Sequence, residues 1–586
     1  MFFLIDTYKR INFVFNKTFK SYIPLLFLFI LLTFLELLSI GLVVPYVNLI
    51  LNPESLFSSK SFAVIKDFIT INKSLDLQNL IIPFSFLFGI IFLFKTIFII
   101  FVRTQIQKFS LVNQKNLQIE LMQAYQNMEY VEFSKKKQSE YIRNIRELSA
   151  NSRDCLEMGL RVLSEFIIIL AIVIFLIFID PVPLIIISLI ILLSILTYNF
   201  FLKPMAVKWG KEKTDATKII YQSVDDSFRG FKSIQSLKKQ NFFSEFLKRG
   251  VNKIFKNDLK SSIIISSPRY FLELTLVIFL VCYLSLNILI KGPDNNILTT
   301  LIIFAVAGLR ILPSAAIISN GILTIGYCNE PLKIIYSDLQ KYKNKKNLLE
   351  KQFFKNQINF MSAIELKNVS FNYDNSSKKI LDDVNFTLKK NDFIGLVGNT
   401  GSGKTTFVDI LLGFLKPTKG KILVDTKEKD ARTLNYFLNI GYLPQENFII
   451  NDTLVTNITL NYKKEEIDKK KIQDILNSLE LNNFVNTLPQ NIDTLIGENG
   501  VKLSGGQRQK VCLARLLYYN KEILILDEAT NALDKVSEMN VIKLLRSLKN
   551  KTIIMISHDF ENLRFCNKLY KLSNGKVQQI GNSNEI

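Results

Sequence analysis

Three observations predict the fold class, a membrane α-helical bundle of six transmembrane helices fused to an α/β domain built on a phosphate-binding P-loop. Mean hydropathy is +0.22 although 21% of the residues are charged, a balance that places part of the chain in a membrane. Several apolar runs before residue 330 are long enough to cross the hydrocarbon layer, which takes about 20 helical residues. Residues Gly398 to Thr405 read G-N-T-G-S-G-K-T, between an apolar strand pattern and a helical one.

At 586 residues the chain exceeds one hydrophobic core. The composition divides it into a transmembrane domain over 1–330 with two cytoplasmic helical extensions, a linker over 331–360, and a soluble α/β domain over 361–586, which the P-loop makes a candidate nucleotide-binding domain. A net charge of +22 raises nucleic acid as a partner, but the basic residues are spread over segments that a cytoplasmic location explains equally well, so no nucleic acid is expected. Cys155, Cys282, Cys328, Cys512 and Cys566 lie far apart with no metal or disulfide spacing, and free thiols are expected.

The N-terminus carries Lys9, Arg10, Lys17 and Lys20 before an apolar stretch from Pro24 to Ile50. That stretch is too long for a signal-peptide core and lacks a small-residue cleavage site, so a retained first span is expected. The six spans fall at 22–50, 80–102, 160–179, 184–202, 262–290 and 297–325, with Asp180-Pro181-Val182-Pro183 as a tight hairpin between the third and fourth. One basic stretch, with Lys135, Lys136, Lys137, Arg143 and Arg146, follows span two, and another runs from Lys203 to Lys260. The positive-inside rule puts both stretches and both termini in the cytoplasm.

Residues 52–78 form the one sizeable outer connection. There Phe62, Ile65, Phe68 and Ile69 recur at helical spacing with Lys60, Lys66 and Asp67 opposite, which fits a helix lying on the membrane surface or a packed loop helix. From Pro331 to Met361 the composition turns to Lys, Asn and Gln, as in a linker. The alternation Ile364, Leu366 and then Val369, Phe371, Tyr373 opens a strand-rich domain.

In the P-loop, preceded by a strand over Phe393–Val397 and followed by a helix over Thr406–Phe414, glycines let backbone N–H groups close around phosphates. Lys404 reaches the outer phosphates and Thr405 offers its hydroxyl to magnesium. Ile523 to Leu526 form an apolar strand ending in Asp527, a magnesium ligand, and Glu528, which can orient or deprotonate an attacking water. The chain's one histidine, His558, follows the strand Thr552 to Ile556 and is read as a contact to the terminal phosphate, because ligands of such folds bind at the strand ends.

With these motifs in order, residues 361–586 resemble the nucleotide-binding domain of ATP-binding cassette (ABC) transporters. The resemblance implies ATP and Mg2+ as cofactors, held by Gly398, Asn399, Thr400, Gly401, Ser402, Gly403, Lys404, Thr405 and Thr406. Leu503 to Gln507, reading L-S-G-G-Q, is similar to the signature loop, whose Ser504, Gly505, Gly506 and Gln507 close on the ATP of the opposite domain. Tyr373 matches the aromatic that stacks on adenine, and Gln445 the glutamine that meets magnesium, water and the membrane domain. Asn531 to Asp534, N-A-L-D, matches the loop joining the two sites, with Asn where Ser is usual, and Glu498 in G-E-N-G resembles the exporter contact to crossing intracellular helices. One cassette and one six-span set imply a half-transporter that pairs with a second copy of itself. Spans fused ahead of the cassette imply an exporter, acting outward across the inner membrane.

Charges within spans are expensive, roughly 2.5 to 3.5 kcal/mol each at the centre of a helix. Lys95, Arg269 and Arg310 are such charges, with Glu36, Glu165 and Glu273 as the acids. Arg269 and Glu273 stand four apart on one helix and can satisfy each other, whereas Arg310 has no acid at helical spacing and needs another helix, water or a ligand. The sharper reading lines a cavity with Arg310, Arg269 and Lys95 for a phosphate-bearing cargo. Segments Ser267-Pro268-Arg269-Tyr270, Gly308 to Ser314 and Ser39 to Pro45 are similar to those of lipid-linked oligosaccharide flippases of protein glycosylation. That resemblance implies membrane lipids and a polyprenyl-diphosphate saccharide as partners. The alternative is an exporter of other lipids or hydrophobic drugs. A peptide exporter with its own protease is disfavoured because only about twenty residues precede span one. A non-transporting ATPase lacks spans, and a gating protein is expected to tolerate loss of Glu528 or His558.

Overall fold

The computed structural model describes residues 2–43, 46, 77–178, 181–291, 295–353, 360–373, 379–429 and 439–582. The chain forms two compact units, Met1–Met128 with Phe133–Asn347, and Leu348–Ile586 with Glu129–Glu132.

The first unit is helical. A short α1 (Phe2–Val14) precedes α2 (Ile23–Gly41), α3 (Leu77–Gln126), α4 (Ser149–Ile177), α5 (Pro181–Arg229), α6 (Gln240–Lys291), α7 (Asn295–Tyr327) and α8 (Asn329–Phe353). Helices α2 to α7 lie over the stretches read as six spans, the first of which runs on from α2 into residues outside the described ones. Helix α3 has 50 residues, so at 1.5 Å per residue it extends about 75 Å, more than twice the apolar layer. The second basic stretch lies largely on the continuations of α5 and α6, and Arg143 and Arg146 lie on the helical run into α4, whereas Lys135, Lys136 and Lys137 stand in a turn. Among the described residues, Phe19–Gly41, Ile82–Gln126, Gln138–Ile177 and Phe304–Tyr327 are long and apolar enough to cross a membrane. Spans four and five lie on α5 and α6, where many side chains fall outside the described residues. So do the hairpin residue Asp180 and nearly all of the outer connection 52–78.

Apolar residues three and four apart on each helix build the core of this unit. Phe29 and Leu32 on α2, Leu117 and Leu121 on α3, Ile168 and Ile172 on α4, and Phe304 and Ala307 on α7 all belong to it. One expectation is corrected here. The stretch read as a linker from residue 331 is helical as far as Phe353, because Leu332, Ile335 and Leu339 recur at helical spacing and are buried. Beside them Asp338, also buried, accepts bonds from Tyr125 Oη at 2.9 Å, Lys136 Nζ at 2.7 Å and Asn144 Nδ2 at 3.3 Å.

The second unit holds two sheets. Strands β1 (Ala363–Phe371), β2 (Leu381–Lys389), β4 (Lys419–Val424) and β5 (Lys427–Lys429) form one, in the order β2-β1-β4-β5. Strands β3 (Phe393–Gly398), β6 (Ile440–Leu443), β7 (Ile523–Asp527), β8 (Thr552–Ile556), β9 (Lys568–Ser573) and β10 (Lys576–Asn582) form the other, in the order β10-β9-β3-β8-β7-β6. A register shift between Leu366 and Val369 explains the break in the β1 alternation, since the bulge returns Val369 and Phe371 to the core.

In the second sheet, β9, β3, β8, β7 and β6 are parallel. Ile523 and Ile525 enter the core on one face while Leu524 and Leu526 enter the core on the other, which is why β7 reads as an unbroken apolar run. Parallel pairing brings the carboxyl ends of β3, β6, β7 and β8 to one edge. Helix α9 (Lys404–Leu411) starts two residues earlier than expected, directly after the P-loop. Helices α10 (Gly505–Tyr518) and α11 (Lys535–Ser547) follow.

Candidate active site

The P-loop leaves β3 at Gly398, where a Cβ would lie 2.6 Å from the Leu572 carbonyl oxygen and 2.7 Å from Ser402 Oγ, so only glycine fits. Gly403 caps α9 with φ +104°, a left-handed conformation that side chains avoid. Ser402 Oγ is buried without a hydrogen-bond partner, and Lys404 Nζ turns back onto the carbonyls of Gly398 (2.5 Å) and Asn399 (3.2 Å). An unpaired hydroxyl and an ammonium resting on its own loop are what a cradle for phosphate oxygens presents. Burial pulls the Lys404 ammonium below its ordinary pKa, while Glu528 and Asp527 work in the opposite direction.

Glu528 follows β7 with φ +52°, a strained backbone for a side chain other than glycine. Its carboxylate is gripped from three directions. His558 Nε2 lies 2.9 Å from Oε1, while Gln445 Nε2 and Asn531 Nδ2 donate to Oε2 at 2.9 and 2.7 Å. Its own carbonyl accepts from Gln509 Nε2 at 3.0 Å, and Gln509 Oε1 accepts from the Ala532 amide at 3.0 Å. The structure thus brings Glu528, His558 and Gln445 together, and adds Asn531 and Gln509 to them. Gln509 was legible only as the second glutamine of the Gln507-Arg508-Gln509 run that opens α10. Asp527 accepts from Tyr442 Oη at 3.2 Å, and burial raises its pKa. Thr405 with its hydroxyl, Asp527 with its carboxylate and Gln445 with its carboxamide supply oxygen donors, which suit a hard cation such as magnesium.

Tyr373 is half-exposed, and its hydroxyl lies 3.3 Å from Thr406 Oγ1. Its ring therefore stands beside the start of α9. Ser504 and Gln507 form a capping box at the start of α10, with Ser504 N donating to Gln507 Oε1 at 2.8 Å and Gln507 N to Ser504 Oγ at 3.2 Å. Among the described residues, no hydrogen bond joins Ser504 or Gln507 to the P-loop of the same chain. A Cβ on Gly506 would lie 3.1 Å from the Ala532 carbonyl oxygen and one on Gly505 would lie 3.5 Å from Ala532 Cβ, so the signature packs on the N-A-L-D loop. Asp534 caps α11 by accepting from Ser537 N at 2.9 Å. Glu498 sits on an exposed turn.

In the helical unit the structure supplies the partners that Arg310 lacks on its own helix. Its Nε is 2.8 Å from Glu36 Oε1, off the hydrogen-bonding direction, and its Nη2 is 3.1 Å from Glu165 Oε2. Ser314 Oγ accepts from Arg310 Nη1 at 3.0 Å and donates to Glu165 Oε2 at 2.7 Å. Lys95 Nζ lies 3.3 Å from Glu36 Oε2 and 3.2 Å from Ser39 Oγ. Two cations meet two carboxylates across α2, α3, α4 and α7, so in this conformation Lys95 and Arg310 do not offer free charge to a cargo, as the sequence reading had them do. The Arg269 side chain lies outside the described residues. A cleft beside the cluster is lined by Arg103, Arg161, Ser164, Glu165 and Arg310. Arg103 and Arg161 went unnoticed in the sequence because they stand at span ends, where arginine is ordinary. Cys155, Cys328, Cys512 and Cys566 are free and buried, and the side chain of Cys282 is outside the described residues.

Comparison with known proteins agrees with this geometry. Residues 381–531 match the family model described as "ABC transporter". The ATP-dependent lipid A-core flippase of Burkholderia pseudomallei (strain 1710b) is 37% identical over 228 residues, 38% of this chain and 38% of that protein. The alpha-hemolysin translocation ATP-binding protein HlyB of Escherichia coli O157:H7 is 36% identical over 225 residues, covering 38% of this chain and 32% of the relative. The chain thus matches well under half the length of these curated relatives. A solved structure titled "Structure of a bacterial Atm1-family ABC exporter with ATP bound" matches over 97% of this chain and 96% of that one, with a TM-score of 0.75 and 16% identity. Residues 381–531 thus match the ABC transporter family, and the chain has the fold of the solved ABC exporter.

Proposed function

We propose that the chain is an ATP-driven exporter that works as a homodimer in the inner membrane and flips a phosphate-bearing, lipid-linked cargo to the outer leaflet. The observation that carries this reading is the constellation around Glu528. A carboxylate fixed by His558, Gln445 and Asn531 beside a P-loop is equipped to activate water against a terminal phosphate. Bound magnesium would spread the charge of the phosphates, held by Thr405, Asp527 and Gln445. Among the described residues Ser504 and Gln507 bond to each other and not to the P-loop of their own chain, which supports the pairing of two copies, each signature facing the other copy's ATP.

The curated relatives named lipid A-core flippases support a lipid cargo. Arg103, Arg161 and Arg310 gather along one narrow cleft beside Glu165, and this local excess of guanidinium groups favours a cargo with an anionic head group. A polyprenyl-diphosphate oligosaccharide carries such a group, and it would have to compete with Glu36 and Glu165 for Arg310. Stimulation of the ATPase by a panel of cargoes tests this. Polyprenyl-diphosphate saccharide is expected to stimulate, with the effect reduced in Arg103→Gln and Arg161→Gln. Equal stimulation by a neutral glycolipid or a hydrophobic drug would move the assignment to the wider class of lipid and drug exporters.

A further inference from the structure

Strand β6 ends beside β7 with Tyr442 paired to Ile525 and Leu443 to Leu526. From that one strand end, two side chains reach the two neighbouring carboxylates of β7. Tyr442 Oη donates to Asp527 Oδ2 at 3.2 Å, and three residues on, Gln445 Nε2 donates to Glu528 Oε2 at 2.9 Å. The Tyr442 hydroxyl is half-buried and faces Asp527 and, farther off, Asp409 and Tyr130. A phenol is protonated at neutral pH, so this hydroxyl is the donor to Asp527. A carboxylate at the end of a strand is free to rotate about its last bond. Here one oxygen is pinned from the adjacent strand.

We propose that Tyr442 is a positioning residue for the divalent cation: its hydroxyl fixes the rotation of Asp527, and β6 thereby sets the metal carboxylate and the water-activating carboxylate together. The proposal rests on reading Asp527 as the magnesium ligand. Partners that hold a metal ligand in place typically contribute about tenfold or more to metal affinity.

 As a carboxylate, Asp409 is an acceptor and adds only charge near Asp527, so the donor that pins the metal carboxylate is Tyr442.

The test uses the full-length protein in detergent with a non-hydrolysable ATP analogue. Mn2+ binding is read by electron paramagnetic resonance, and nucleotide affinity is read separately in the absence of metal. Tyr442→Phe keeps the ring and removes the donor. The expected result is Mn2+ binding about tenfold weaker with metal-free nucleotide affinity unchanged. Asp527→Asn runs in parallel. If it leaves Mn2+ binding intact, the reading of Asp527 itself falls. If it weakens Mn2+ binding while Tyr442→Phe does not, the role of Tyr442 falls alone. Loss of metal-free nucleotide binding in Tyr442→Phe also overturns the proposal, because the hydroxyl would then hold the pocket and not the metal carboxylate.

Discussion

Glu528 combines a left-handed backbone with a carboxylate held by His558, Gln445 and Asn531. Such strain persists only where the surroundings fix it, which marks the position as functional. Glu528→Gln is expected to keep ATP affinity and to lower turnover by about 100-fold or more, since general-base groups contribute on that scale. Steady-state hydrolysis together with nucleotide binding checks it, and wild-type turnover would remove Glu528 from the role. Asp409, buried behind the P-loop on α9, is pushed up to about 6 by burial and by Asp527. A raised carboxyl favours the folded state only while protonated, so its contribution is full below about pH 4 and is lost as the pH rises through 6. Asp409→Asn is therefore expected to gain stability over the natural protein above pH 6, on the order of 2 to 3 kcal/mol, and to lose that advantage near pH 4. Unfolding temperatures across that range, without nucleotide, decide it.

At the scale of elements, the membrane helices are joined by charge as well as by apolar packing. Arg310 on α7 meets Glu36 on α2 and Glu165 on α4, and Lys95 on α3 meets Glu36. Removing one partner of a buried pair leaves an uncompensated charge, which costs about 3 to 5 kcal/mol. Arg310→Met should lose that much, and adding Glu165→Gln, which leaves Lys95 paired with Glu36, should restore most of it, as read by thermal unfolding in detergent. Equal stability of the single and double variants would contradict the pairing. The sequence showed that Arg310 lacked an acid on its own helix, but not which helices would supply one, because that depends on how four spans pack. The same limit hid Tyr442 and Gln509, which act across strand and helix neighbours far apart in the chain. The P-loop, the Asp527-Glu528 pair and His558 were legible because each follows an apolar strand whose parallel pairing brings its end to the same edge. Helix α8 was missed because exposed Lys333, Gln340 and Lys341 masked the spacing of Leu332, Ile335 and Leu339.

For the whole molecule, the proposed pairing of two chains makes ATP hydrolysis a property of the dimer. Mixing the natural protein with increasing shares of Glu528→Gln before reconstitution should lower activity more steeply than in proportion, if both sites must fire for each cycle. A strictly proportional decline would mean that each chain works alone. The most direct measurement of the central claim is cargo movement in proteoliposomes that carry a labelled polyprenyl-diphosphate saccharide. With ATP supplied on the cassette side, the natural protein should carry the label across the bilayer to the opposite leaflet, and Glu528→Gln should not. Movement that continues without ATP, or that proceeds equally in Glu528→Gln, would contradict the account.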